Sequence, residues 1–156
     1  MRILIVITLI FCTTLVHGQD EKVNWLDFEQ LEEALKKQPK KVMVYFYADW
    51  CAYCKKMDRS VFTKQDVIAL LNDNYYTIKF NVESNDTIQF GGKTFTNKQF
   101  GKKRNPIHQI PEYLASRQNA EIELPATIIL NEDFEIKKRF YRYISPTEML
   151  SILKQN

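Results

Sequence analysis

The sequence predicts an α/β domain with a central mixed β-sheet flanked by helices. Three observations carry this. Two β-rich runs, 41–47 and 75–82, are separated by a stretch with helical periodicity, and a strand–helix–strand unit of that length implies a right-handed crossover joining a parallel pair. Two later runs, 126–130 and 135–141, are joined only by Asn131-Glu132-Asp133, a turn that makes their pairing antiparallel. Amphipathic segments at both ends of this series supply the covering helices.

Taken in order, Trp25, Phe28, Leu31 and Leu35 recur at spacings of three and four among charged residues, predicting a helix that stops before Pro39. Lys41 to Tyr47, KVMVYFY, is apolar on both faces and reads as a central strand. Cys51 to Arg59 reads as the start of a helix. Thr63 with Asp66 suggests a capping box for a further helix through Val67, Ile68, Leu70 and Leu71. Tyr75 to Val82 alternates as a second strand. Residues 84–122 are too long for a bare connection and read as an insertion. Within it Gly91-Gly92 separates residues 87–90 from 93–96, a hairpin signal, because paired glycines accept positive φ. Ile107 to Arg117 then suggests a short helix with Pro111 in its first turn. The chain closes with Ser145-Pro146-Thr147-Glu148, an N-cap, a first-turn proline and a capping acid, ahead of a helix whose apolar face holds Met149, Leu150 and Leu153.

Residues 1–18 begin with Arg2 and continue with an apolar run from Ile3 to Val16, shorter than the ~20 residues a spanning helix needs. The run, with small Gly18 at its end, predicts a secretory signal peptide cut between Gly18 and Gln19. Cys12 is preceded by Phe11, where a lipoprotein signal would carry a small residue, so no lipid anchor is expected. The domain expected after cleavage is 19–156, one core with no permanent membrane anchor. The formal charge of the whole chain is +3, too small to indicate a polyanion partner, so no nucleic acid is expected. The run Gly101-Lys102-Lys103-Arg104-Asn105 is the basic cluster and reads as a solvated loop.

After signal removal the chain retains Cys51 and Cys54, three positions apart in FYADWCAYCKKMDRSVF. Such a pair can be a redox couple, half of a metal site or a structural staple. Structural zinc takes four ligands, and two cysteines with His108 fall short, so no metal is expected. Covalent haem needs histidine after the second cysteine, and Lys55 stands there. A staple closing so small a loop gains little entropy. Redox exchange has a physical basis. A cysteine opening a helix has unpaired backbone N–H groups and the positive end of the helix dipole around its sulfur. Cysteines so placed ionise at about pH 3.5–7.5 rather than near 8.5. Cys51 is then the expected nucleophile, and Cys54, one turn on, the resolving thiol. Lys55 and Lys56 add charge that favours a thiolate.

The element order and two quoted motifs, YADWCAYCKKM and LPATIIL, resemble the thioredoxin-like family, in particular secreted members and the thioredoxin-like domain of membrane-coupled thiol reductases. The resemblance runs from Val23 to Lys154, with 84–122 as an insertion before the strand that follows the family's cis-proline. It implies a thioredoxin fold, a redox-active Cys51–Cys54 disulfide, a cis Pro125, and a substrate platform of Trp50, Ala52, Tyr53, Leu124 and Pro125. It also implies cysteine-containing exported proteins as partners, a membrane thiol-reductant donor, a monomer, no cofactor, and a secreted location in the bacterial periplasm. Reduction or isomerisation is favoured over net oxidation. The competing reading is a non-catalytic binding or chaperone-like module in which the two cysteines form a resting disulfide.

Two departures from the family bear on mechanism. Ala52 and Tyr53 stand where thioredoxins commonly have Gly-Pro, which leaves the reduction potential open. Tyr45 occupies the position, six before Cys51, of the aspartate that accepts the resolving cysteine's proton. Asp58, four residues after Cys54 and so on its helical face, is a candidate replacement. Asp49 reads as a turn residue.

Overall fold

In the computed structural model, residues 21–117 and 120–155 are described. The expected signal peptide and its cleavage site at Gly18 and Gln19 lie outside them. The elements are β1 (Trp25–Leu26), α1 (Phe28–Lys37), β2 (Lys41–Tyr47), α2 (Ala52–Ser60), α3 (Gln65–Asn74) and β3 (Tyr75–Asn81). There follow β4 (Ile88–Phe90), β5 (Lys93–Phe95), α4 (Gln109–Ala115), β6 (Ala126–Leu130), β7 (Ile136–Phe140) and α5 (Pro146–Gln155).

Five strands form one sheet in the order β1-β3-β2-β6-β7. β2 and β3 pair in parallel, while β6 pairs antiparallel with both β2 and β7. The β2–β3 and β6–β7 pairings are those the sequence pattern implies, and the antiparallel β2–β6 pairing joins them into one mixed sheet. The middle five residues of β2 and all of β6 are buried, as strands covered on both faces must be. Cross-strand partners point to the same side, so Tyr45, Lys79 and Thr127 share one face of the sheet. On that face Tyr45 meets α2, its hydroxyl donating to the Cys54 carbonyl, and Tyr75 reaches α5, donating to the Leu153 carbonyl. The opposite face presents Phe80, whose ring packs edge-on against Phe28 of α1 and against His108 at the entry to α4. The result is a three-layer sandwich of helices, sheet and helices.

Three local expectations are corrected. Trp25 does not continue the α1 face but forms β1, pairing with Thr77, and its indole packs on Tyr45 and Phe62. The helix instead begins after Asp27, whose carboxylate accepts from the Gln30 N–H while Gln30 returns a bond to the Asp27 N–H. Thr63 and Asp66 form no capping box. The Thr63 hydroxyl donates back to the Arg59 carbonyl, Asp66 accepts from its neighbour Val67, and Lys64 caps α3 without a side-chain bond. At α5, the Ser145 hydroxyl accepts from the Glu148 N–H, but the Glu148 carboxylate pairs with Arg142 instead of returning to the cap.

Between β3 and β6 the chain forms a hairpin and a helix. Gly91 and Gly92 turn the hairpin at φ values of 60° and 70°, a conformation that costs a residue with a Cβ. The hairpin lies over α1. The Glu29 and Glu32 carboxylates accept from the Gln89 and Gly91 N–H groups, and Phe90 packs on Phe28 and Phe134. α4 has Pro111 in its first turn, where its missing N–H has no intrahelical role.

Candidate active site

β2 ends at Tyr47, and the chain turns at Ala48 before α2 starts, which sets Cys51 at the N-cap. The Cys51 N–H donates to the Ala48 carbonyl, closing that turn. Cys51 Sγ accepts from the Cys54 N–H at 3.1 Å, so the sulfur occupies the site where a capping oxygen usually sits. Cys51 and Cys54 are joined in a disulfide, their Cα atoms 5.2 Å apart. Cys51 keeps 4% of its surface and Cys54 1%, so both sulfurs are largely covered.

The aromatic residues flanking the disulfide are far more open: Trp50 is 58% exposed and Tyr53 61%. With Leu124 and Pro125 they line a depression of about 630 Å³ that continues to Arg142 and Tyr143. The Leu124–Pro125 peptide is cis. Thus Trp50, Tyr53, Leu124 and Pro125 are brought together, whereas Ala52 is exposed but does not line this depression. Tyr143 had no signal in the sequence. Its ring lies under Lys56 Nζ, 4.5 Å from the centroid, and its hydroxyl is 3.2 Å from Ser60 Oγ, which binds the segment before α5 to α2. Glu83 was equally hidden: its carboxylate accepts from the Trp50 indole N–H at 2.9 Å.

Beneath α2 lies a polar group of four residues. The Tyr45 hydroxyl donates to the Cys54 carbonyl at 3.1 Å. Lys79, beside Tyr45 in the sheet, bonds Asp58 at 2.8 Å and lies over the Tyr45 and Tyr47 rings, 5.9 and 4.8 Å from their centroids. Burial, and then the charge of Asp58, push the Tyr45 phenol far above its ordinary range, so Tyr45 stays a neutral donor. Tyr47 is raised for the same leading reason, with Asp49 and Asp58 adding to it. The tyrosine at the position of the family's aspartate stays protonated, and the Asp58 carboxylate on α2 is paired with Lys79.

His108, considered above as a third zinc ligand, instead caps α4. Its Nδ1 accepts from the Ile110 N–H and its Nε2 lies 3.1 Å from the Asp86 carbonyl, which it can reach only as a donor. Burial lowers its pKa, opposed by the hydrogen bonding to Asp86. Among the described residues no three His, Cys, Asp or Glu side chains group to hold a metal ion, and no helix is long and apolar enough to cross a membrane.

A Cys-X-X-Cys disulfide at a helix N-terminus on this fold is the centre of a protein-disulfide oxidoreductase. Comparison with known proteins supplies the family. The model for the thioredoxin-like domain matches residues 28–156, and the chain belongs to that family. The thiol:disulfide interchange protein DsbD of Campylobacter jejuni strain RM1221 is 30% identical over 112 residues, which is 72% of this chain and 18% of that protein. DsbD of Pseudoalteromonas atlantica is 40% identical over 61 residues, 38% of this chain and 10% of the relative. The chain therefore spans a small part of these relatives. Among solved structures, a thioredoxin from Thermus thermophilus superimposes with a TM-score of 0.60 at 17% identity, covering 86% of this chain and 87% of the other. The reduced C-terminal domain of Neisseria meningitidis DsbD gives 0.52 at 17% identity, covering 85% and 98%. These likenesses establish the fold.

Proposed function

We propose that the protein is an exported thiol:disulfide oxidoreductase of the bacterial periplasm, acting on cysteine-containing exported proteins in the reducing or isomerising direction and re-reduced by a membrane thiol donor. The observation that carries the roles is the Cys51 sulfur at the cap of α2, accepting from the Cys54 N–H. Those donors and the helix dipole stabilise a Cys51 thiolate. This thiolate attacks one sulfur of a substrate disulfide, forming a mixed disulfide and releasing one substrate thiolate. Cys54 then loses its proton, with Asp58 as the proposed acceptor, and attacks Cys51 Sγ. The Cys51–Cys54 bond forms, the second substrate thiol leaves, and two electrons have passed to the substrate. Trp50, Tyr53, Leu124 and Pro125 form the platform on which the substrate chain lies, with Ala52 at its edge.

The apolar segment near the N-terminus supports export, the relationship to a thiol:disulfide interchange protein supports disulfide exchange, and the resemblance of the motif stretch to reductase domains supports the reducing direction. Redox equilibration with glutathione tests the direction. The expected potential is at or below about −180 mV, between isomerase-like and thioredoxin-like values. A potential near −120 mV, that of a dedicated oxidant, would overturn it.

A further inference from the structure

Four of the nine residues lining the depression beside the disulfide are aromatic: Trp50, Tyr53, Tyr141 and Tyr143. Trp50 and Tyr53 bracket Cys51 in the chain and are among the most exposed large hydrophobic residues described. Only two lining residues are charged, one of each sign, and each is paired with a neighbour. Glu123 meets Arg117 at 3.0 Å, and the Arg142 guanidinium donates to both carboxylate oxygens of Glu148. The lining therefore offers a substrate rings and aliphatic groups, with no net charge.

Three of the rings are held before any substrate arrives. The Trp50 indole N–H donates to Glu83 at 2.9 Å. The Tyr141 hydroxyl donates to the Ala115 carbonyl at 3.0 Å, and Arg117 lies over its ring, 4.2 Å from the centroid. Tyr143 shares a hydrogen bond with Ser60 on α2 and lies beneath Lys56. The Tyr53 ring is 6.4 Å from that of Tyr143, tilted by 44°. Rings fixed in this way lose little freedom on binding, so less of the contact is offset by ordering. Ring-on-ring contact also adds to what burial of an aliphatic side chain supplies.

We propose that this depression takes an aromatic side chain next to the substrate cysteine, and that Tyr143 is a specificity-determining residue for it. The proposal rests on exchange through Cys51 and Cys54, and it names the substrates favoured: proteins whose reactive cysteine adjoins phenylalanine, tyrosine or tryptophan. Tyr143 carries the ring surface from α2 across to the segment before α5. A side chain beside a cysteine bound at Cys51 is then met by rings from both segments.

The test uses the reduced protein and two decapeptides with a central cysteine, flanked on both sides by phenylalanine in one and leucine in the other, each supplied as its disulfide-linked dimer. The Cys51 thiolate attacks one sulfur of the dimer and the first peptide leaves as a thiolate; Cys54 then expels the second, so the protein is oxidised and the peptide reduced. Second-order rate constants come from acid quench and chromatography under single turnover. The phenylalanine peptide is expected to react about fivefold faster than the leucine peptide. The ratio holds in high salt, because the contact is not ionic. Tyr143→Leu brings it to about twofold or less, whereas Tyr143→Phe, which loses the Ser60 bond but keeps the ring, retains it. Tyr113→Leu, an exposed tyrosine outside the depression, leaves both rates unchanged. A wild-type ratio near one, or one that collapses in high salt, overturns the aromatic subsite while leaving exchange intact. So does a Tyr143→Leu variant that slows both peptides alike at an unchanged ratio, since Tyr143 would then serve only to pack α2. No reaction with either peptide overturns the exchange reading, and the subsite with it.

Discussion

Asp58→Asn and Lys79→Met separate a proton acceptor from a structural ion pair, because both remove the same 2.8 Å ion pair and only one removes the carboxylate. The Lys79 and Asp58 side chains are 26% and 32% exposed, so screening keeps the pair at no more than about 1 kcal/mol. Lys79 also lies over the Tyr45 and Tyr47 rings, and losing the closer contact adds about 0.5–1 kcal/mol. Asp58→Asn should therefore cost about 1 kcal/mol and Lys79→Met about 1–2 kcal/mol, a fall in Tm of about 3–8 °C. Activity should rank the other way. With Cys51 loaded as a mixed disulfide, the release step is followed by rapid acid quench across pH 5–9. Loss of a general base slows release about 100-fold or more in Asp58→Asn, whereas Lys79→Met stays within about threefold of wild type. Equal slowing in the two variants, or an Asp58→Asn profile that overlays the wild type, would refute Asp58 as the acceptor and leave it a surface ion pair.

Tyr45→Phe removes a buried donor from the Cys54 carbonyl, which keeps its helical partner, so oxidised protein should lose about 1 kcal/mol in urea denaturation; no loss would mean the hydroxyl contributes nothing. His108 gives a pH dependence with a definite sign. Its pKa is lowered on folding from the ordinary 6.5, so the unfolded chain takes up the proton first. Its contribution is complete above pH 6.5 and is lost as pH falls below it. Stability should drop between pH 7.5 and 5.5, and His108→Asn, which can still cap α4, should show a smaller drop; equal drops would contradict this.

The legible parts of the fold are those where a local pattern and the tertiary solution agree. KVMVYFY could only be a doubly covered strand, and Gly91-Gly92 could only turn a hairpin. Trp25 misled because its spacing to Phe28 matches a helical turn, while Asp27, an N-cap with Gln30 three residues on, marked the true start. Thr63 and Asp66 have the spacing of a capping box, but the Arg59 carbonyl offered Thr63 a nearer acceptor at the C-terminal end of α2. At the site, Cys51, Cys54 and Pro125 stand in motifs and could be read directly. Glu83 and Lys79 could not. Each meets its partner across a long stretch of sequence, Glu83 to Trp50 over 33 residues and Lys79 to Asp58 over 21, and a lone acid or lysine looks solvated until the sheet register is known.

The division of labour between the two cysteines is the centre of the account, and covalent trapping tests it most directly. Reduced Cys54→Ser and Cys51→Ser are each incubated with a protein disulfide, quenched with alkylating agent and analysed by non-reducing electrophoresis and mass spectrometry. Cys54→Ser should accumulate a thiol-reversible adduct on Cys51, and Cys51→Ser should form none. An adduct on Cys54 in Cys51→Ser, or none with either variant, would contradict it.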